Sequence, residues 1–290
     1  MNEKLMIALI GEQQMPNLLP IRYEKPDQVI LIYSKHTENR YQKLKNLLGN
    51  TYATPLKIED PYNIFETKKD LSDLIYSMGY SSKDIIFNLT GGTKPMAFAS
   101  YHLADELSSP FIYLQSEGGK SLIYRYEFID KIAQLVDKKE IPPVITIDDY
   151  LRVHLGTYEK LSFRSNFEKI LYEELKQLFD EVSHSIKHGS LEIDLVLRRG
   201  NQVGIVEVKT GKSAAKKEGI DQLNTAAEQR YLGTYARKFL IVNKEMGANN
   251  LELAKAHRTT VIELCKEEND DISVEDKEKL ADAVLKNFGG

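Results

Sequence analysis

Four residues in the second half of the chain, Glu168, Asp194, Glu207 and Lys209, have the types and spacing needed for metal-assisted phosphodiester hydrolysis. Side chains alternate along a strand, so Glu207 and Lys209 in Gly204-Ile205-Val206-Glu207-Val208-Lys209 share one face. Asp194, in Leu191-Glu192-Ile193-Asp194-Leu195-Val196, belongs to the strand before, and a turn at Arg199-Gly200-Asn201 brings it beside Glu207. Neighbouring carboxylates in an apolar setting repel and resist burial unless a cation binds between them. Hard oxygen donors suit Mg²⁺ or Mn²⁺, with Glu168, Asp194 and Glu207 as the expected metal ligands. Such a metal activates water, and Lys209 would orient that water or offset charge growing on phosphate. Gln222, further on, would position the substrate backbone. A bare Glu-x-Lys is common on exposed strands. Here Ile193, Leu195, Val206 and Val208 mark a central hairpin, where an Asp–Glu pair has few bland explanations. Glu192 shares the face of Asp194 and reads as supporting or solvent-facing; His184 and His188 read as ordinary polar positions.

Elements must hold these residues in place. A helix is expected over Glu159–Phe179, with Glu168 one position off its apolar stripe. Strands follow over Leu191–Arg198 and Gln202–Thr210, then a helix carrying Gln222 and Ala226. A strand at Lys238–Asn243 and an α/β stretch reaching Val261-Ile262 complete a domain around a mixed sheet. Residues 1–128 alternate differently. Strands are expected at Lys4–Ile10, Gln28–Tyr33, Tyr52–Lys57, Asp84–Asn88, Pro110–Leu114 and Ser121–Tyr126. Helices are expected near Met15–Tyr23, Glu38–Leu48, Tyr62–Met78 and Thr93–Leu107, which implies a parallel, Rossmann-like sheet with a hairpin at one edge. Between the two halves, 129–157 reads as a linker, with the charged run Asp137-Lys138-Lys139-Glu140, the pair Pro142-Pro143 and a short helix Ile147–Leu155.

The first half has its own chemical signal in Phe87-Asn88-Leu89-Thr90-Gly91-Gly92-Thr93-Lys94-Pro95-Met96. A strand runs through glycines into a helix start, where free amides attract anions. The spacing is not that of a Walker A loop, which disfavours ATP hydrolysis and leaves a phosphate-bearing ligand. The loops that gather at the same sheet edge contribute Gln13, Gln14 and Asn17, Ser34 and Lys35, and Gln115, beside Thr90, Gly91, Gly92, Thr93 and Lys94.

Composition narrows the classes. With 290 residues and 42% apolar content, the chain can build two cores. No run of about 20 apolar residues exists, which excludes a helical membrane span, and the apolar start reads as a strand rather than a secretion signal. A single cysteine, Cys265, cannot form an internal disulfide and points to a cytoplasmic setting. The net charge of −4 argues against tight non-specific nucleic-acid binding and is silent about cleavage.

Asp194 with Glu207-Val208-Lys209, the upstream Glu168 and the downstream Gln222 resemble the PD-(D/E)xK restriction-endonuclease-like superfamily. Gly11-Glu12-Gln13 and Pro16-Asn17-Leu18-Leu19-Pro20, followed by Asn88-Leu89-Thr90-Gly91-Gly92-Thr93-Lys94, resemble the CARF domain. Their fusion resembles the CARF-nuclease effectors of type III CRISPR systems. The resemblance implies domains at 1–128 and 158–290, and a homodimer that binds one cyclic oligoadenylate, most naturally cyclic tetra-adenylate, across its two-fold axis. Binding would switch on cleavage of DNA, RNA or both. The rival readings are a regulator whose second domain has lost catalysis, and a repair or restriction nuclease with no cyclic-nucleotide gate.

Overall fold

In the computed structural model the described residues are 3–49, 52–214, 216–264 and 272–289, so Cys265 lies outside them. The chain divides into two compact units, Met1–Ile145 and Thr146–Gly290.

The first unit runs β1 (Leu5–Leu9), α1 (Met15–Glu24), β2 (Gln28–Tyr33), α2 (Glu38–Leu47), β3 (Tyr52–Lys57), α3 (Ile64–Met78), β4 (Ile85–Asn88), α4 (Lys94–Leu107), β5 (Phe111–Glu117), β6 (Lys120–Ile129) and β7 (Ile132–Glu140). Its sheet has the order β3-β2-β1-β4-β5-β6-β7. β1 is parallel to β2 and β4, whereas β5, β6 and β7 pair antiparallel to one another. β1 and most of β2 are continuous apolar runs buried on both faces, the pattern that parallel strands require. One face is sealed by Leu71 and Ile75 of α3 and by Met96 and Leu103 of α4. The strand order reverses between β1 and β4, which places a crevice at their carboxyl ends.

The second unit runs α5 (Ile147–Leu155), β8 (Glu159–Lys160), α6 (Asn166–Lys176), β9 (Glu181–His188), β10 (Leu191–Arg199), β11 (Gln202–Lys209), α7 (Glu218–Ala226), β12 (Arg237–Val242), α8 (Ala248–Ala256), β13 (Thr259–Glu263) and α9 (Val274–Asn287). The mixed sheet has the order β13-β12-β11-β10-β9-β8. β11, β12 and β13 are parallel, and β10 and β9 run against their neighbours. Leu195, Val206, Val208 and Phe239 point from one face into a core shared with Phe167 and Leu171 of α6 and Leu280 and Val284 of α9. Residues of the alternate parity, Asp194, Glu207 and Lys209 among them, therefore face the other way.

Two expectations need correction. The stretch 129–157 is not a connector. Residues of β7 complete the first sheet by pairing with β6, and α5 belongs to the second unit, with the boundary at Ile145. The polar-rich β7 is an exposed edge strand, which is why its composition reads as linker. The helix expected over Glu159–Phe179 is also shorter. Glu159 and Lys160 pair with β9, and α6 starts only after Ser165, whose hydroxyl accepts the N–H of Glu168 at 3.1 Å and caps it.

Candidate active site and ligand loops

β10 and β11 pair in register from Arg199–Gln202 to Leu195–Val206, and Asp194 and Glu207 are the next facing positions. There the ladder opens. The Oδ2 atom of Asp194 accepts the backbone N–H of Val208 at 2.7 Å, a side chain taking the acceptor's role that a strand carbonyl normally fills. On its other side, β10 pairs with β9 at Ile193 and Leu195 but skips Asp194, opposite which Ser185 adopts a left-handed φ of 51°. Asp194 thus projects from the point where both neighbouring strands give way.

Asp194 and Glu207 are 5% and 3% exposed. Lys209 Nζ donates to Glu207 Oε1 at 2.7 Å from a side chain that is itself largely covered. Burial pushes the Asp194 carboxyl up to about 6; the Val208 N–H opposes this and the Glu168 charge adds to it. Burial likewise pushes Glu207 up to about 7, the Asp194 charge adding to it and Lys209 opposing it. The two titrate as one system. Both carboxyls thus resist the charged form more than the single lysine compensates. A small divalent cation would relieve this by replacing repulsion with coordination.

The third expected ligand is differently placed. Glu168 sits in the first turn of α6, is 5% exposed, and its Oε2 accepts the backbone N–H of Arg164 at 3.0 Å. Among the described residues, no group of three or more His, Cys, Asp or Glu is arranged to hold a metal. Asp194 and Glu207 are the two carboxylates that face each other across the strands, and the Glu168 charge bears on Asp194. Mg²⁺ needs no more than that pair, since it binds through one or two carboxylates and keeps its waters.

Gln222 lies in α7, which packs across β11 and β12. Its Oε1 is covered and has no hydrogen-bond partner. Gly219, one turn earlier on the same side of α7, sits so close that a Cβ there would come within 3.3 Å of Lys209 Cγ and 2.6 Å of Leu240 Cδ1. Arg164 is a residue that the sequence reading missed. Its guanidinium pairs with Glu192, and its charge favours the ionised forms of both Asp194 and Glu207. The available signal was the spacing Ser165-x-x-Glu168, a helix start that fixes Arg164 just outside the first turn. His184 stacks on Phe163 at 3.9 Å between ring centroids, away from the role of a ligand.

In the first unit the β1–α1 and β4–α4 loops meet over the crevice. A Cβ on Gly91 would lie 2.0 Å from the Leu9 carbonyl oxygen, and one on Gly92, whose φ is 71°, would lie 2.8 Å from Leu9 Cβ. A Cβ on Gly11 would lie 2.8 Å from Gly92 N. Only bare backbone fits this junction. Thr93 caps α4 by accepting the Met96 N–H, and Lys94 stands exposed at the helix start. Thr90 Oγ1 donates to Asn88 Oδ1 at 2.7 Å and accepts the N–H of Leu114. Gln13 is half-buried, and Lys35 and Gln115 are exposed. Ser34 is buried, its N–H donated to Thr37 Oγ1.

Two of the expected ligand contacts are framework instead. Asn17 is fully buried; its Nδ2 donates to the Leu9 carbonyl at 2.8 Å and its Oδ1 accepts from Asn88 Nδ2 at 3.2 Å. It ties the two loops together and has no surface for a ligand. Gln14 is 3% exposed and donates to the Arg40 carbonyl, which fixes it under the β1–α1 loop.

A family profile described as the Card1 CARF domain matches residues 5–150. The chain belongs to that family. The CARF match covers the first sheet with both loops just described. None of the curated proteins compared matches the sequence. Among solved structures, Can2 from Sulfobacillus thermosulfidooxidans in complex with cyclic tetra-adenylate superposes with a TM-score of 0.75 at 14% identity, over 99% of this chain and 100% of that one. Protein VC1899 from Vibrio cholerae gives 0.72 at 13%, over 98% and 97%. A type III CRISPR defence DNA nuclease activated by cyclic oligoadenylate gives 0.66 at 16%, over 99% of this chain and 52% of that one. At such identities the likeness speaks for the fold: a CARF unit followed by a second α/β unit is a shared architecture.

Proposed function

We propose that this CARF-family chain is a metal-dependent nuclease of type III CRISPR defence, switched on by a cyclic oligoadenylate, and that it cleaves DNA, RNA or both in the cytoplasm. The observation that carries the reading is the buried pair Asp194 and Glu207, on facing positions of adjacent strands with Lys209 2.7 Å from Glu207. A domain kept only for docking gains nothing from two carboxylates that burial penalises. Mg²⁺ or Mn²⁺, held by Asp194 and Glu207, would supply Lewis acidity toward phosphate and a more acidic water. Lys209 would then hold the attacking water or the phosphate, and Gln222, with its free carbonyl oxygen, would orient the substrate strand. Glu168 and Arg164 set the charge balance around the pair.

The gate is the CARF crevice. Exposed Lys94 and the amides at the start of α4 suit a phosphate, and Gln13, Lys35, Thr90, Thr93 and Gln115 ring the same edge. Solved relatives of this fold include one bound to cyclic tetra-adenylate and a nuclease activated by cyclic oligoadenylate, which supports that ligand class. A two-fold symmetric ring fits an isologous homodimer.

Purified protein with Mn²⁺ and cyclic tetra-adenylate is expected to cut single-stranded or plasmid substrates, and to be nearly silent without the ring. Glu207→Gln and Lys209→Ala should each lower the activated rate by about 10²-fold or more. Lys94→Ala should weaken activator binding. Equal cleavage with and without the ring sinks the gating claim, and an active Glu207→Gln variant sinks the site.

A further inference from the structure

The second unit carries a second polar feature at the opposite end of its sheet from Lys209. A cleft of 780 Å³ opens at the amino-terminal ends of β12 and β13, bounded by the end of α7 and the α8–β13 turn. Its walls are cationic: Arg230, Arg237, Lys238 and Arg258 all line it, with the imidazole of His257 among them. The carboxylate in the lining, Glu228, is already paired with Arg230 at 2.6 Å.

Among the described residues, the other cations of the cleft have no carboxylate partner. Lys238 Nζ is met by the neutral Asn224 Oδ1 at 2.7 Å, and Arg237 donates to the neutral Gln202 Oε1 while its guanidinium lies over the Phe288 ring. Both are about half-covered, and burial lowers the pKa of each, with Arg258 adding repulsion on Lys238. Arg258 is presented from a left-handed backbone, φ 54°, that closes the α8–β13 turn. Positive charge is thus gathered at a concave surface with amides as its partners, a state that an oxyanion stabilises. Geometry links the cleft to the carboxylate pair. Lys238 is in register with Ile205, which shares its face with Glu207 two residues on, a separation of about 7 Å along the strand. α7 spans both, from Gly219 over Lys209 to Asn224 at Lys238.

We infer that this cleft is an anion site that takes a phosphate group, carried by a nucleic-acid strand or by free phosphate or a mononucleotide. The inference stands on the cleft itself and does not need the carboxylate pair to be catalytic.

The test reads binding on the full chain with divalent ions chelated, so that no cleavage enters. A labelled single-stranded oligonucleotide is titrated by anisotropy at several salt concentrations, and melting is followed with and without inorganic phosphate. For a strand phosphate, the Lys238→Met/Arg258→Asn double variant should bind the oligonucleotide about 5–10-fold more weakly, with the salt slope reduced by roughly one for each phosphate that the variant no longer neutralises. Inorganic phosphate should then compete with the oligonucleotide. If the ligand is free phosphate, oligonucleotide affinity stays unchanged while phosphate raises the melting temperature of the wild type and not of the variant. Without anion, the double variant should melt no lower than wild type, because it removes the Lys238–Arg258 repulsion. Should it melt lower, the charge-conserving Arg258→Lys variant decides by keeping the anion response. Unchanged affinity, salt slope and phosphate response in the double variant would overturn the inference, as would loss of the response in Arg258→Lys.

Discussion

The carboxylate of Asp194 accepts the backbone N–H of Val208, two positions from where strand pairing stops at Leu195–Val206. A buried carboxylate of the candidate site is therefore wired into the main chain of the neighbouring strand. Its orientation depends on β11 as much as on its own strand, and the face it shares with Glu207 is fixed before any substrate arrives.

The pair should make stability depend on pH with an inverted sign for carboxylates. Both folded-state values are raised, Asp194 from 3.8 to about 6 and Glu207 from 4.5 to about 7. The native state then binds protons more tightly than the unfolded one. In metal-free buffer the stabilisation is fully present below the ordinary carboxylate range and is lost as pH rises toward about 7. Melting temperature measured across that window should fall for the wild type and stay flatter for Glu207→Gln. Mn²⁺ should raise it more above the window than below. Parallel curves for the two proteins would contradict this.

Gly219 offers a way to disturb Lys209 without removing it. A methyl there gains about 1 kcal/mol of helix propensity but must displace Leu240 Cδ1 and press on the Lys209 stem. Gly219→Ala is therefore expected to melt within a few degrees of wild type while the activated cleavage rate drops several-fold. A variant with wild-type rate would show that α7 does not position Lys209.

Asn17 and Lys94 should separate framework from contact. Asn17→Ala removes the side-chain donor to the buried Leu9 carbonyl and leaves Asn88 Nδ2 with its bond to the Pro16 carbonyl alone, a loss of about 1–3 kcal/mol of stability. Lys94→Ala removes an exposed side chain and should leave melting unchanged while weakening cyclic tetra-adenylate binding by calorimetry. If Asn17→Ala kept full stability and lost only affinity, its assignment to the framework would be wrong.

Much of the architecture was legible because burial writes itself into periodicity. The apolar runs at Leu5–Leu9 and Gln28–Tyr33 and the alternation around Asp194 and Glu207 locate their strands to within a residue or two. What escaped was written in other terms. β9 reads Glu181-Val182-Ser183-His184-Ser185-Ile186-Lys187-His188, with a single buried position at Ile186, so no hydrophobic signal marks it as a strand. β7 is an exposed edge whose pairing partner lies in a hairpin, and charges there pass for linker. Arg164 and the buried amide of Asn17 owe their roles to neighbours brought from elsewhere by the fold. Residue type alone favours the opposite reading for Asn17, a polar group offered to ligand.

The glycines at Gly11, Gly91 and Gly92 leave the two CARF loops in backbone-to-backbone contact, and Asn17 pins them from below. Loops locked in this way have little freedom left to lose, so a ligand seated on them would meet a small entropic opposition. If the proposed messenger binds there, the response threshold would be governed by messenger concentration, with little delay from a receptor that must first take shape.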